Sequence, residues 1–148
     1  MSLKIYLAAP WANRDNARGF GERLEAAGFA ITEKWWDQEP SDEHDDLAAQ
    51  ASKDVLGVAM ADLFIVLQLG QSEGKAVETG MAMAWVKPII VVNPLGVPAV
   101  GSGNIFHHLL HTVRSFEEAL DMAAKVQAGY EAIAPTTGPL PQGDGDGR

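Results

Sequence analysis

Residues 70–80, GQSEGKAVETG, form the segment of this sequence best suited to chemistry. Two glycines flank Ser72, and a helical pattern begins directly afterwards. Backbone N–H groups at a helix start are unpaired and bind anions or sugar hydroxyls. The segment lacks the Gly-Lys-Ser/Thr ending of a Walker loop, and the glycine spacing of a dinucleotide fingerprint is absent after the first predicted strand. It therefore predicts a binding loop of another kind, with Ser72 and Gly74 as ligand contacts.

Glu78 falls in the first turn of the helix that follows this loop. A glutamate at that position commonly serves only to complement the helix dipole. Here the helix start faces the edge of the predicted sheet where a ligand is expected. We therefore interpret Glu78 as a candidate catalytic carboxylate that stays ionised.

Asp54 is the second unusual carboxylate. On a helical wheel it shares a stripe with Leu47, Ala51 and Val58. An aspartate in an apolar stripe is costly unless it is paired or faces a cavity, although one at the edge of the stripe can reach water. A desolvated carboxylate has a raised pKa and can act as an acid. Together, Asp54 and Glu78 would provide the two carboxylates in different environments that glycosyl chemistry uses.

The elements that position these residues alternate along the chain between strands and helices. We predict strands at 3–9, 29–34, 63–69, 88–93 and 111–114, and helices at 16–27, 47–61, 75–86 and 115–131. The strands are continuous apolar runs, which is typical of a parallel sheet covered on both faces. The prediction is one α/β domain over residues 1–133, a flavodoxin/Rossmann-like doubly wound five-stranded sheet in a three-layer sandwich. A disordered tail would follow over 134–148. The ligand site of such a sheet lies at the carboxyl ends of its strands.

Composition excludes several classes of function. A net charge of -9 argues against binding to polymeric nucleic acid, although local donors can still hold a small anion. The chain has no cysteine, which excludes disulfides and thiolate metal sites. No apolar run reaches the roughly 20 residues of a membrane span, and no signal peptide is evident. We therefore expect a cytoplasmic protein without membrane contact.

The sequence resembles the nucleoside 2-deoxyribosyltransferase-like superfamily, which includes the 2-deoxynucleoside 5-monophosphate N-hydrolases. The resemblance is carried by Tyr6 in KIYLAAP, by Asp54 in the helix before ADLFIVL, and by SEGKAVETG followed by AMAWVKPIIVV. It continues through GSGNIFHHL, which contains Ser102 and Asn104, to VRSFEEAL near the end of the chain. It therefore covers nearly everything before the tail.

The resemblance implies that Glu78 is the nucleophile at the anomeric carbon of deoxyribose. Tyr6 would orient Glu78, and Asp54 would contact the base or move the proton. Further contacts to the substrate are implied for Ser72, Gly74, Ser102 and Asn104. The family forms dimers or larger homo-oligomers with shared active sites, and Ser102 would reach the neighbouring subunit's site. No metal and no organic cofactor are implied.

The turn after the first strand departs from the pattern of the monophosphate hydrolases. Those enzymes have a glycine- and arginine-rich turn, whereas this chain has APWANR. Pro10 followed by Trp11 looks more like the transferases, where the aromatic residue lines the base pocket. We also expect one tryptophan of the Trp35–Trp36 pair in the core, and assign base stacking to Trp36.

The leading hypothesis is an enzyme that cleaves or exchanges the N-glycosidic bond of a 2-deoxyribonucleoside or its 5′-monophosphate. Arg14, Arg18 or Lys75 would meet the phosphate of a monophosphate. Water as acceptor would give hydrolysis, as in the monophosphate N-hydrolases, and a second base would give transfer. The alternative from another class is a nucleotide-binding sensor that retains these residues as ligand contacts. A flavodoxin-like mononucleotide carrier is a third hypothesis.

Overall fold

A computed structural model describes residues 2–96 and 109–133. Ser102, Asn104 and the predicted tail at 134–148 lie outside these ranges. The strands are β1 (Lys4–Ala8), β2 (Ala30–Ile31), β3 (Leu63–Leu67), β4 (Ile89–Val92) and β5 (His111–Val113). The α-helices are α1 (Arg14–Ala26), α2 (His44–Met60), α3 (Glu73–Ala84) and α4 (Phe116–Ile133). Two short 3-10 helices, Trp11–Asn13 and Trp35–Asp37, follow β1 and β2.

The sheet has the order β2-β1-β3-β4-β5, and every neighbouring pair is parallel. This confirms the predicted doubly wound five-stranded α/β fold. The strand order reverses between β1 and β3, where Tyr6 pairs in register with Phe64. In sheets of this kind, the crevice beyond the reversal point is the usual ligand site.

Helices cover both faces of the sheet. On one face, Phe20 of α1 meets Phe116 of α4 with ring centroids 4.7 Å apart. On the other face, α2 and α3 pack against β1, and the ring of Tyr6 lies beside Gly57 of α2. All residues of β3 are buried, as expected for a central strand covered twice.

The second strand is shorter than predicted, because two tryptophans bend the chain. Only Ala30 and Ile31 are in strand conformation, and Trp35–Asp37 is a 3-10 helix. The indole N–H of Trp35 donates to the Leu7 carbonyl at 2.7 Å. This bond holds the end of the β2 segment over the carboxyl end of β1.

Helix α2 starts at His44, three residues earlier than predicted, and buries only Gly57 and Val58. The predicted apolar stripe was therefore wrong for Leu47 and Ala51, which are exposed. Contact with the sheet is confined to the C-terminal half of the helix, where glycine permits close approach. The large apolar side chains that α2 leaves exposed are those of Leu47, Val55, Leu56 and Met60.

Helix α3 ends in a left-handed residue that is not glycine. Val86 has φ 55°, and the N–H groups of Val86 and Lys87 donate to the Met83 and Ala82 carbonyls. This is the Schellman pattern, in which glycine is favoured because a Cβ is strained there. Helix α1 ends the same way at Gly28, whose φ is 95°.

Replacing Val86 by glycine should therefore stabilise the protein. We expect Val86→Gly to raise the free energy of unfolding by about 1 kcal/mol, measured by urea denaturation. The Val86 side chain is 87% exposed, so little packing is lost. A less stable variant would contradict the strain argument.

Candidate active site

The hydroxyl group of Tyr6 and the carboxylate of Glu78 form the centre of the site. The Tyr6 hydroxyl donates to Glu78 Oε1 at 2.9 Å, joining β1 to α3. Tyr6 is fully buried, and its ring stacks on Phe64 with centroids 5.5 Å apart. The strand and the stacked ring leave the hydroxyl little freedom, so it fixes the direction of the Glu78 carboxylate.

Asp54 reaches the same cluster from α2. It is half-buried, and the side-chain amide of Gln38 donates to its Oδ1 at 3.2 Å. Burial raises the pKa of Asp54 to about 6, the Gln38 bond opposes this, and the negative charge of Glu33 adds to the rise. The raised pKa agrees with the sequence-based expectation for a desolvated aspartate.

The electrostatic state of Glu78 differs from the expectation. Burial raises the pKa of Glu78 to about 7, the Tyr6 hydrogen bond opposes this, and the charge of Asp54 adds to it. The expectation of a permanently ionised Glu78 assumed a place in the first turn, but α3 begins at Glu73. Glu78 thus lies in the second turn, beyond the strongest effect of the helix dipole. Both carboxyl groups therefore titrate near neutral pH.

Two further residues of the cluster escaped the sequence-based assignment. Glu33 follows β2, and its charge raises the pKa values of Asp54 and Tyr6, although burial is the largest cause for both groups. Gly57 lies three residues after Asp54 in α2, and a Cβ on it would lie 2.7 Å from Glu33 Cβ and 2.9 Å from Tyr6 Cε2. For Gly57, the only sign in the sequence was a glycine inside a predicted helix, one turn after Asp54.

Gly57 sets the distance between α2 and β1, so a methyl group there should disturb the site. We expect Gly57→Ala to lower the free energy of unfolding by roughly 1–3 kcal/mol and kcat at least about tenfold, because α2 must shift with Asp54. Gly19 in α1 has nothing within 4 Å of its Cβ position. The control Gly19→Ala should therefore gain about 0.5–1 kcal/mol and keep full activity. Urea denaturation and initial rates measure both effects, and equal behaviour of the two variants would contradict this role of Gly57.

The loop between β3 and α3 presents Ser72 and Gly74 at the helix start. Ser72 is the N-cap of α3, and its Oγ accepts from the Lys75 backbone N–H at 3.3 Å. Gly74 is exposed, and a Cβ there would meet only Ser72 Oγ, at 3.9 Å. Packing does not require a glycine at this position, so close approach by a ligand would explain it.

The turn after β1 lies beside this loop. Pro10 is buried, and its Cγ is 3.8 Å from the Cβ position of Gly70. Trp11 is 41% exposed, and the guanidinium of Arg14 lies 5.2 Å from its ring centroid. The carboxyl ends of β1 and β3 thus bring an aromatic ring, a cation and a helix start to one edge of the sheet.

Trp36 lies elsewhere than its assigned role suggests. It is 4% exposed, and its indole occupies the space that a Cβ on Gly21 would enter, 2.8 Å from that position. Arg18 of α1 donates to the Trp36 carbonyl and to Asp37. These contacts place Trp36 in the packing between α1 and the 3-10 helix, and they occupy Arg18. Trp11 is the exposed tryptophan beside the site.

The described residues show no group of three or more histidine, aspartate or glutamate side chains that could hold a metal ion. Among the helices in these ranges, none is long and apolar enough to cross a bilayer.

Comparison with known proteins supports the fold. No protein-family model and no curated protein sequence matches the chain. A conserved protein from Enterococcus faecalis V583 is similar in structure, with a TM-score of 0.67 and 18% identity over 84% of this chain and 99% of that one. The solution structure of BlsM matches with a TM-score of 0.62 and 20% identity, over 93% and 98%. The Clostridium botulinum CMP N-glycosidase BcmB matches with a TM-score of 0.54 and 19% identity, over 82% and 98%.

Proposed function

We propose that this protein is an enzyme that cleaves or exchanges the N-glycosidic bond of a 2-deoxyribonucleoside or its 5′-monophosphate. The observation that carries the proposal is the hydrogen bond from Tyr6 to a half-buried Glu78 near a second carboxylate, Asp54. A carboxylate held in direction by a hydroxyl is suited to attack on a sugar carbon. A neighbouring carboxyl group with a pKa near neutrality is suited to proton transfer.

The reaction would proceed in two displacements at C1′ of the sugar. Glu78 attacks C1′ as the bond to the base nitrogen breaks, and the base leaves with the bonding electron pair. Asp54 contacts the base or delivers the proton that neutralises it. Attack on C1′ by water then breaks the bond to Glu78 and releases the sugar, whereas attack by a second base breaks the same bond and gives a new nucleoside. In either case the attacking molecule gives up a proton to the ionised Asp54. Each step uses only groups of the chain, the substrate, and either water or the second base.

The surrounding residues would bind the two ends of the substrate. Trp11 and Pro10 would line the base pocket at the end of β1. Ser72 and Gly74 would hold the sugar or its 5′ group at the start of α3. From the sequence resemblance we add Ser102 and Asn104, which belong to the undescribed segment after β4. This scheme needs no metal and no organic cofactor.

Support from the structural neighbours is by analogy. BcmB is a CMP N-glycosidase, and this chain has a similar fold at 19% identity. One fold hosts many activities, so the proposal depends on the Tyr6–Glu78–Asp54 cluster and not on the fold.

We further propose that the enzyme works as a homodimer or higher homo-oligomer with shared active sites. Besides the exposed apolar side chains of α2, those of Val77 in α3 and of Trp85 directly after α3 are 62% and 44% exposed. Exposed apolar surface of this extent is typical of an interface. Light scattering after size exclusion should give a mass at least twice 15.8 kDa. A monomeric mass across the concentration range would refute this part.

The experiment that tests the function is a measurement of base release. Deoxynucleosides and their 5′-monophosphates are incubated with the protein, with and without a second free base, and separated by chromatography. Base released without an acceptor indicates an N-hydrolase, and a new nucleoside formed only with the acceptor indicates a transferase. Binding of nucleotides without any base release would overturn the proposal in favour of a sensor.

A further inference from the structure

The ammonium group of Lys75 is a buried cation at the edge of the proposed site. Lys75 is 4% exposed. Its Nζ donates to Gln68 Oε1 at 2.7 Å and to the Gly70 carbonyl at 2.6 Å. Because an ammonium group has three N–H donors, the described residues satisfy two of the three.

The positive charge of Lys75 also lacks an acidic partner within residues 2–96 and 109–133. The four ion pairs there involve Arg18, Arg23 and Lys34. Burial lowers the pKa of Lys75 to about 8, and no carboxylate opposes this. A buried ion without a counter-ion is costly. An anion bound at the adjoining loop would supply the missing countercharge.

Lys75 also fixes the shape of that loop. Its side chain holds the Gly70 carbonyl, and its backbone N–H donates to Ser72 Oγ at 3.3 Å. One residue thereby ties both ends of segment 70–72, just before the unpaired N–H groups of α3. The cation is hydrogen-bonded to the first residue of this loop, and the start of α3 adds partial positive charge at its other end.

We propose that Lys75 makes this site prefer a substrate with a 5′-phosphate over the unphosphorylated deoxynucleoside. The inference rests on the proposed function and names its substrate class. Lys75 is a positioning residue: it acts through the Gly70–Ser72 loop and through its charge, away from the bond that breaks. The positive charge of Lys75 is needed because the negative charges of Glu78, Asp54 and Glu33 would otherwise repel a phosphate.

The first test compares two substrates on one variant. We expect Lys75→Met to lower kcat/KM for a deoxynucleoside 5′-monophosphate at least tenfold more than kcat/KM for the same deoxynucleoside. The control is Lys87→Met, which removes the same charge and two bonds to the Ala59 and Ala61 carbonyls at the other end of α3. The control should change the ratio of the two kcat/KM values, phosphorylated over unphosphorylated substrate, by less than twofold. An equal loss of kcat/KM for both substrates in Lys75→Met would overturn the proposal, because a distorted Gly70–Ser72 loop alone would produce that result.

A second measurement uses the unaltered protein, in case the variant does not fold. The ¹³Cε signal of Lys75 is followed by NMR titration with 2-deoxyribose 5-phosphate or with 2-deoxyribose. We expect the sugar phosphate to bind more tightly and to raise the pKa of Lys75, and the sugar to leave it unchanged. Identical titrations with both ligands would overturn the proposal.

The outcomes separate this inference from the proposed function. A protein that binds the sugar phosphate in this way but releases no base keeps the anion preference and loses the enzymatic assignment. A protein that releases base equally well from both substrates keeps the activity and loses the role of Lys75.

Discussion

Replacement of Glu78 by glutamine is expected to lower kcat by about 1,000-fold or more. An amide cannot attack the anomeric carbon, yet its oxygen can still accept the Tyr6 hydrogen bond. The site should therefore keep its shape and its ligand affinity while turnover is lost. Initial rates of base release and calorimetric binding of a deoxynucleotide measure the two effects separately.

The same substitution should stabilise the protein at alkaline pH. The pKa of Glu78 rises from 4.5 to about 7 in the folded state, because burial disfavours the ionised carboxylate. The folded protein therefore binds this proton more tightly than the unfolded chain does. The resulting contribution to the free energy of unfolding is fully present below pH 4.5 and is lost as pH rises through about 7. At pH 8 we expect Glu78→Gln to be more stable than the wild type by on the order of 2 kcal/mol.

Glu73→Gln is the matched control. Glu73 lies in the first turn of the same helix and is exposed, so its loss should affect the dipole slightly and turnover little. Full turnover by Glu78→Gln would exclude Glu78 as the nucleophile. A large loss in Glu73→Gln would show that the effect belongs to the helix and not to the cluster.

The second large effect concerns the pH dependence of kcat/KM. Since Glu78 must be ionised to attack, activity should fall about tenfold per pH unit below about pH 7 in the wild type. Asp54→Asn should move this acidic limb to lower pH, because it removes the charge that raises the pKa of Glu78. Tyr6→Phe should move it to higher pH, because it removes the hydrogen bond that lowers this pKa.

Only an arrangement in which Asp54 and Tyr6 both act on Glu78 predicts that the two substitutions shift the acidic limb in opposite directions. Asp54→Asn should also reduce kcat by about 10²–10⁴-fold if Asp54 moves the proton. Asp46→Asn, in the exposed first turn of the same helix α2, is the control and should leave the limb in place. Rates of base release from pH 5 to pH 9 provide the measurement, and shifts in the same direction would contradict the arrangement.

The fold was predictable because its central features are local in sequence. The run LFIVL identifies β3 by itself, and Gly28 marks the end of α1. The shortness of β2 was not predictable, because the bond from Trp35 to the Leu7 carbonyl joins residues 28 positions apart. The buried side of α2 was misassigned in part, since of the apolar stripe only Val58 is buried, together with Gly57, while Leu47 and Ala51 are exposed.

For the site, too, local sequence indicated some residues, and others depended on contacts between distant segments. Glu78 and Asp54 were conspicuous as polar residues in apolar or glycine-rich surroundings. Glu33 was not, because nothing in its local sequence indicates that β2 turns it toward the cluster. Trp36 was assigned to base stacking because composition cannot distinguish a ring against Gly21 from a ring against a ligand. The pKa of Glu78 depends on packing in three dimensions, which no local pattern contains.

The parallel connection of the sheet has a consequence for the order of folding. Central strand β1 pairs with β3, and Ile5 lies opposite Leu63 in that pair. Tyr6 and Glu78 are 72 positions apart. During synthesis, β1 must therefore wait for β3, which ends at Leu67, and Tyr6 must wait for Glu78, by which point more than half of the chain has emerged. Such parallel pairing is non-local and slow. The hydroxyl–carboxylate bond at the centre of the site forms only after this pairing, so a nascent chain becomes competent for chemistry late in its folding.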